Sequence, residues 1–220
     1  MPAEEFTHVG NDVASRVRSQ FGDASGAQLE DASILSWIND GQREIVNSNP
    51  ILRATKITDI VAGTGDYTFP NDKVLLIEAI YVSGFPIQNV TPQEARDFIL
   101  SSDPQKAAVA ERPEVWYERA GIITFYPTPS KSATNGLKLE YIKNPTQLAS
   151  LTDALGIPDR YFNELVNYTI SKALEMDENY DAAAYKQRQF RDGLDRLANK
   201  DSSVEGAHYA QIAADPNDWF

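Results

Sequence analysis

The chain has 220 residues, a net charge of −12 and no cysteine. Disulfides, thiolate metal sites and cysteine nucleophiles are therefore excluded, and the acidic excess argues against a protein that grips nucleic acid by its phosphates. No apolar run approaches the roughly 20 residues of a membrane span, and the opening MPAEEFTHVG lacks the basic stretch and apolar core of a secretory signal, so a soluble intracellular or particle-bound protein is expected.

Residues 1–10 show no periodic pattern and are expected to be mobile. Asn11 to Phe21 reads as a short amphipathic helix with Val13, Val17 and Phe21 on one side. A second helix is predicted from Asp31 to Val46, DASILSWINDGQREIV. Ile34, Trp37, Ile38, Ile45 and Val46 fall on one side of it, with Gly41 among them. Asp31 or Ser33 is expected to cap its start. A glycine inside a helix costs about 1 kcal/mol against alanine, so Gly41 predicts a close crossing by another backbone. Asn39 and Gln42 lie near the buried stripe and need hydrogen-bond partners.

The period then changes. Thr55 to Ala62 is β-branched, Gly63-Thr64-Gly65-Asp66 reads as a hairpin turn, and Tyr67-Thr68-Phe69 resumes an extended chain to Pro70. The run VLLIEAIYV, Val74 to Val82, suits a strand buried on most of both faces. Ser83-Gly84 turns it back through Phe85 to Val90. Thr91-Pro92-Gln93-Glu94 is a capping box that opens a helix to about Leu100. After a loop with Pro104 and Pro113, Val115–Glu118 and Ile122–Tyr126 flank the turn Arg119-Ala120-Gly121. Leu137, Leu139 and Tyr141 alternate with Lys138 and Glu140, a strand with one wet face.

Helical spacing returns at Pro158 with the stripe Tyr161, Leu165, Tyr168 and Ala173, widened by Phe162, Val166 and Ile170. A last helix carries Ala183, Phe190, Leu194 and Leu197 and is expected to pack antiparallel to its neighbour. From Asp201 the pattern stops, and the chain ends in Trp219-Phe220. The charge is uneven: residues 1–50 hold 3 basic and 8 acidic side chains, residues 51–157 hold 10 and 12, and residues 158–220 hold 7 and 12. The two ends thus read as one unit and the middle as another. The predicted fold is α+β. Residues 11–50 and 157–200 form a four-helix bundle, and 51–156 an inserted antiparallel β domain carrying one short helix. Residues 1–10 form a flexible N-terminus and 201–220 an extended C-terminal arm.

Catalytic signatures are missing. His8 and His208 both fall in segments read as irregular, where a general base would lack a fixed partner. There is no Gly-x-Ser-x-Gly elbow and no phosphate loop. Asp177, Asn179 and Asp181 copy the first spacing of a calcium loop, but Ala182 and Arg188 occupy the required glycine and glutamate positions, which leaves a helix–helix turn. Paired carboxylates remain open, with Asp66, Glu78, Glu114 and Glu118 in or beside strands. Trp116, Tyr117, Phe125 and Tyr126 form an aromatic cluster on an edge-prone hairpin, part of it core. The pair Trp219-Phe220, after a polar turn-like stretch, reads as an anchor. No cofactor or metal is expected.

The segment Ser33 to Ile45, SILSWINDGQREI, resembles the early helix of the head-to-tail connector adaptor proteins of tailed bacteriophages. The helix from Pro158-Asp159-Arg160-Tyr161-Phe162 to Ala173-Leu174, followed by Ala182 to Leu197, resembles the same family's C-terminal pair. The hairpin Arg112–Tyr117 and Ile122–Pro127 is similar to the β domain of the adaptor, or tail tubular protein A, of short-tailed phages. The likeness covers most of residues 11–198 and rests on packing motifs. It implies a non-enzymatic, homo-oligomeric ring, commonly twelve-fold, that docks beneath the portal protein and meets the tail nozzle protein. Double-stranded DNA would pass its channel without specific binding. It also implies a location at the head–tail interface of the virion, and in the host cytoplasm during assembly, with no membrane partner. Residues 201–220 would be the portal-binding arm, with Tyr209, Ile212, Trp219 and Phe220 as anchors. Ile34, Trp37, Ile38, Gly41 and Ile45 would be the bundle-core signature, and Trp116, Tyr117, Phe125 and Tyr126 a tail-side aromatic surface. The alternatives are a carbohydrate- or receptor-binding tail module built on the aromatic hairpin and a virion-associated glycan hydrolase.

Overall fold

The computed structural model describes residues 6–68, 74–101 and 112–213, with side chains described except at 74, 75, 96, 98–101 and 200–213. The fold is α+β, with five α-helices and a curled seven-stranded sheet. The helices are α1 (Gly10–Phe21), α2 (Asp31–Ser48), α3 (Pro92–Ser101), α4 (Phe162–Met176) and α5 (Tyr180–Ala213). The strands are β1 (Arg53–Ile60), β2 (Asp66–Thr68), β3 (Val74–Val82), β4 (Phe85–Asn89), β5 (Val115–Arg119), β6 (Ile122–Tyr126) and β7 (Ala133–Lys143). The chain divides into two compact units, Met1–Pro50 with Pro145–Phe220, and Ile51–Asn144.

In the helical unit α4 is the common partner of α1, α2 and α5. Gly41 shows why α2 can cross it closely. A Cβ there would stand 2.7 Å from Leu165 Cδ1 and 2.8 Å from Tyr168 Cδ1. Ile34, Ile38, Ile45 and Val46 line the same buried face, whereas Trp37 is half-buried at its margin. The two amides of α2 hold the segment that re-enters the unit. Asn39 exchanges two hydrogen bonds with the backbone of Leu148 (3.0 and 2.8 Å), and Gln42 Oε1 accepts the Gly156 N–H at 2.5 Å. The α4–α5 pair is antiparallel: Ser171 bonds Gln187, Tyr168 meets Phe190 edge-on, and Glu164 sits against Gly193.

Three expectations for this unit need correction. First, α2 starts at N-cap Glu30 without a side-chain cap, and Asp31 pairs with Arg18 at 2.5 Å instead. Second, residues 6–9 are fastened. Thr7 donates its N–H and hydroxyl to Asp159, Val9 bridges Ala154, and the His8 ring stacks on Phe162. This clamp joins residues about 150 positions apart, so no local pattern announces it. Third, α5 continues as helix through Ala213, so the segment after Asp201 is helical over its described part. Polar residues can stay helical where no buried face is required, and the buried periodicity alone therefore undercounts the helix.

In the sheet unit the strand order is β1-β7-β3-β4-β5-β6-β2. Two expected hairpins form, β3–β4 over Ser83-Gly84 and β5–β6 over Ala120-Gly121. All four turn residues take positive φ (51°, 83°, 50° and 75°), the mark of the turn whose twist matches the strands. The capping box of α3 is also present, with the Thr91 N–H donating to Glu94 at 2.7 Å and the Glu94 N–H donating to Thr91 Oγ1 at 3.2 Å. Phe69, Pro70 and the loop around Pro104 lie outside the described residues.

The turn at Gly63–Asp66 is not a hairpin. β1 pairs with β7 and β2 with β6, at the two opposite edges of the sheet. Laid flat, seven strands would put those edges about 29 Å apart. The residues between Ile60 and Asp66 reach about 21 Å at most, so the sheet must curl. Its interior face gathers Ile60, Ile80, Val82, Trp116, Ile123, Phe125, Leu137 and Leu139. The sheet is mixed rather than antiparallel, because β4 and β5 are parallel neighbours joined through α3, as parallel strands require a crossover. β3 is not buried on both faces: Leu76 and Glu78 are exposed.

Candidate interaction surfaces

The carboxylates singled out in the sheet do not form a catalytic pair. Asp66 accepts the Thr124 hydroxyl at 2.8 Å, Glu78 faces Arg53 at 3.3 Å, and Glu114 and Glu118 stand exposed. Glu140 is held below the ordinary carboxylate range by Lys138 at 2.5 Å, and Lys138 is raised in turn. Among the described residues no three His, Cys, Asp or Glu side chains converge as a metal site. His8 stacks on Phe162 at 4.0 Å and lies 3.4 Å from Asp12. His208 lies in the distal part of α5, beyond the described side chains. The turn at Asp177–Asp181 is structural, with Glu178 at φ 57° and Asn179 Oδ1 accepting the Ala182 N–H at 3.4 Å.

The aromatic hairpin splits between its two faces. Trp116 and Phe125 lie directly opposite one another and are 3% and 2% exposed, with Tyr67 edge-on to Phe125 at 5.3 Å. They are core. Tyr117 and Tyr126 fall on the other face and are half-buried. A Trp116→Ala variant would therefore report on core packing rather than on a stacking platform.

Exposed apolar surface lies elsewhere, and single-residue patterns do not reveal it. Met176, Tyr180 and Tyr185 are 51%, 66% and 55% exposed around the α4–α5 turn. Glu175, Asp177, Glu178 and Asp181 surround them, all exposed. In the sheet unit Ile57 and Leu76 project from the convex face, and Phe85 at a hairpin tip carries the Arg112 guanidinium 4.3 Å from its ring. Aromatic and apolar groups at turns, ringed by charge, are the composition of contact surfaces rather than of a solvated exterior. Of the anchors expected at the C-terminus, Tyr209 and Ile212 belong to α5, with side chains beyond those described. Trp219 and Phe220 lie outside the described residues.

The model of the family described as SU10 adaptor protein matches residues 11–211, from α1 almost to the end of α5. The chain belongs to the SU10 adaptor protein family. No curated protein matches it in sequence. As a member of that family it is a bacteriophage structural adaptor, a component of the virion. Among its described residues no helix of this SU10 adaptor protein is long and apolar enough to cross a membrane. The match takes in both compact units, so the inserted sheet belongs to the adaptor as much as the helices do.

Proposed function

We propose that this adaptor forms a homo-oligomeric ring in the head-to-tail connector of a short-tailed phage. The ring, twelve-fold as in the proteins it resembles, docks beneath the portal protein, joins it to the tail nozzle protein and passes double-stranded DNA through its centre. The observation that carries this reading is the family match over residues 11–211, which takes in both compact units. The helices would act as one bundle built on Ile34, Trp37, Ile38, Gly41 and Ile45. The C-terminal arm would begin in the distal half of α5 and end at Trp219-Phe220, with Tyr209, Ile212, Trp219 and Phe220 seated on portal subunits. Tyr117 and Tyr126 are the tail-side surface, with Trp116 and Phe125 beneath them as support.

The charge fits such a channel. At −12 per chain, a ring repels phosphates and lets DNA slide. Ring neighbours meet through heterologous contacts that close by rotation. The test is sedimentation of the protein with and without portal rings from the same genome, with electron microscopy of the peaks. Portal rings that gain one layer, with a countable copy number, are the expected result. A small species that ignores the portal overturns the reading.

A further inference from the structure

Two surface features of the helical unit are complementary to each other. The first is a ladder of amides and cations. Asn163 and Asn167 stand one turn apart on α4, and Arg16 and Gln20 one turn apart on α1. Arg16 Nη1 donates to Asn163 Oδ1 at 3.3 Å. From α5, Lys186 Nζ donates to Gln20 Oε1 at 3.1 Å and to Asn167 Oδ1 at 3.5 Å. Both cations thus give their N–H groups to uncharged oxygens, in a chain with 32 acidic and 20 basic side chains. Asp12, one turn before Arg16, is taken by His8 and by the Val9 N–H. Among the described residues neither Arg16 nor Lys186 makes an ion pair. An amide orients a cation without neutralising it, so two positive charges are held in place for a carboxylate to meet. The Arg16 guanidinium is exposed, 5.1 Å from the centre of the Phe162 ring.

The second feature is the α4–α5 turn. Met176, Tyr180 and Tyr185 are 51%, 66% and 55% exposed there. Asp177, Glu178 and Asp181 stand exposed among them and make no ion pair with described residues, whereas Glu175 is already paired with Lys172 at 2.8 Å. Exposed aromatic groups rimmed by charge have the make-up of an interface, and the sign of this rim is opposite to that of the ladder. Along the α4 axis Asp177 lies about 21 Å from Asn163 and about 15 Å from Asn167, so the turn does not reach the ladder of its own chain. A second copy can bring the two together. Two different patches on one chain make a head-to-tail contact, which repeats from copy to copy and closes into a ring where the rotation allows.

We propose that the α4–α5 turn of one copy docks on the amide–cation ladder of the next. Asp177, Glu178 and Asp181 then face Arg16 and Lys186, and a tyrosine of the turn lies on the Arg16 guanidinium. This contact is the neighbour surface of the proposed ring and rests on that reading.

The test reverses the charge of each half. One variant carries Arg16→Glu and Lys186→Glu, a second carries Asp177→Lys and Glu178→Lys, and a third carries all four changes. Lysine suits the dipole at the C-terminal end of α4, and circular dichroism checks that each variant keeps its helices. Each full chain is mixed with portal rings from the same genome, and bound copies are counted by sedimentation and electron microscopy. The parent is expected to add one complete layer. Either single reversal sets like charges together at every neighbour contact and should lower occupancy at fixed concentration by about tenfold or more. The combined variant restores opposite charges at every contact and should recover the layer. Equal occupancy by all four proteins overturns the contact and leaves the ring standing. A loss that the combined variant does not recover also overturns it, because the two patches then meet something other than each other. A parent that adds no layer overturns the ring and the contact with it. Should a reversal disturb the fold, Asn163→Cys with Asn179→Cys reads the same contact in a chain that has no native cysteine. Those positions lie about 24 Å apart within one copy, so a disulfide between them joins two copies. Oxidation of the assembled layer should give a series of linked multimers, and monomer alone overturns the contact.

Discussion

At the scale of single residues, two carboxylates of the helical unit act on stability in opposite directions. Asp23 accepts the N–H groups of Leu29, Gln28 and Ala27 between 2.8 and 3.0 Å, and the Ser25 hydroxyl at 3.3 Å, and so organises the α1–α2 connection around itself. Those bonds, that of Leu29 foremost, hold its pKa below the ordinary value. Its contribution is present above the unfolded-state pKa and is lost as pH falls through the lower folded value. Glu164 is the reverse case, because burial raises its pKa. Its carboxylate opposes folding at neutral pH, and that opposition fades as pH falls from the folded towards the unfolded value. Urea unfolding should therefore show Asp23→Asn lowering the midpoint at pH 7 and Glu164→Gln raising it. The difference between parent and Glu164→Gln should shrink at lower pH. Gly41→Ala tests packing instead. Its Cβ would meet Leu165 and Tyr168 inside 3 Å, and the overpacking, of about 1–3 kcal/mol, outweighs a gain in helix propensity of about 1 kcal/mol. A lower melting temperature is the expected outcome.

At the scale of elements, the segments most legible in sequence are those whose partners are near in the chain. The β3–β4 and β5–β6 hairpins, the α3 capping box and the α4–α5 pair each rest on turn or cap residues at fixed offsets. Within the β5–β6 turn Ala120 holds φ 50°, a conformation that costs a non-glycine residue about 1–2 kcal/mol. Ala120→Gly should raise the melting temperature accordingly. Gln42 is the counterpart between distant elements. It is fully buried, and it alone is seen to receive the Gly156 N–H. Gln42→Leu leaves that donor unpaired at about 1–3 kcal/mol, a loss that hydrogen exchange at Gly156 would localise. Elements with distant partners are the ones that local pattern misplaces. β1 and β2 look like a hairpin because five residues separate them, yet each finds its partner far along the chain. Trp116 looks like surface because its hairpin can be an edge, but curling of the sheet puts it inside.

At the scale of the whole molecule, family membership makes the protein a phage structural adaptor, and the proposed ring has two direct consequences. Deleting Asp201–Phe220 removes the end of α5 and the residues after it, whereas the last α5 residue among the described core is Leu194. The truncated chain should keep its melting temperature, and a helical circular dichroism lowered only by the turns removed, but no longer co-sediment with portal rings. Unimpaired docking would remove the arm from the model. Double-stranded DNA should be neither shifted nor retained by the protein at low salt, because a chain of net charge −12 repels phosphates on balance.

The sequence by itself determined the five helices apart from the distal end of α5, two of the hairpins, the helix crossing at Gly41 and the need of Asn39 and Gln42 for partners. It also carried the likeness to phage adaptors. These features are set by spacing, by steric demand and by the requirement that buried polar groups be paired, all of which act along a few residues of chain. Only the tertiary structure decided that the sheet is mixed and curled, that Trp116 and Phe125 are core, and that Thr7 is clamped to Asp159. The same is true of the close approach of Glu164 to Gly193 across the α4–α5 pair. Those features depend on which of several compatible surfaces meet across large sequence separations. That choice is made by the summed burial of the whole unit, and no short stretch of sequence encodes it.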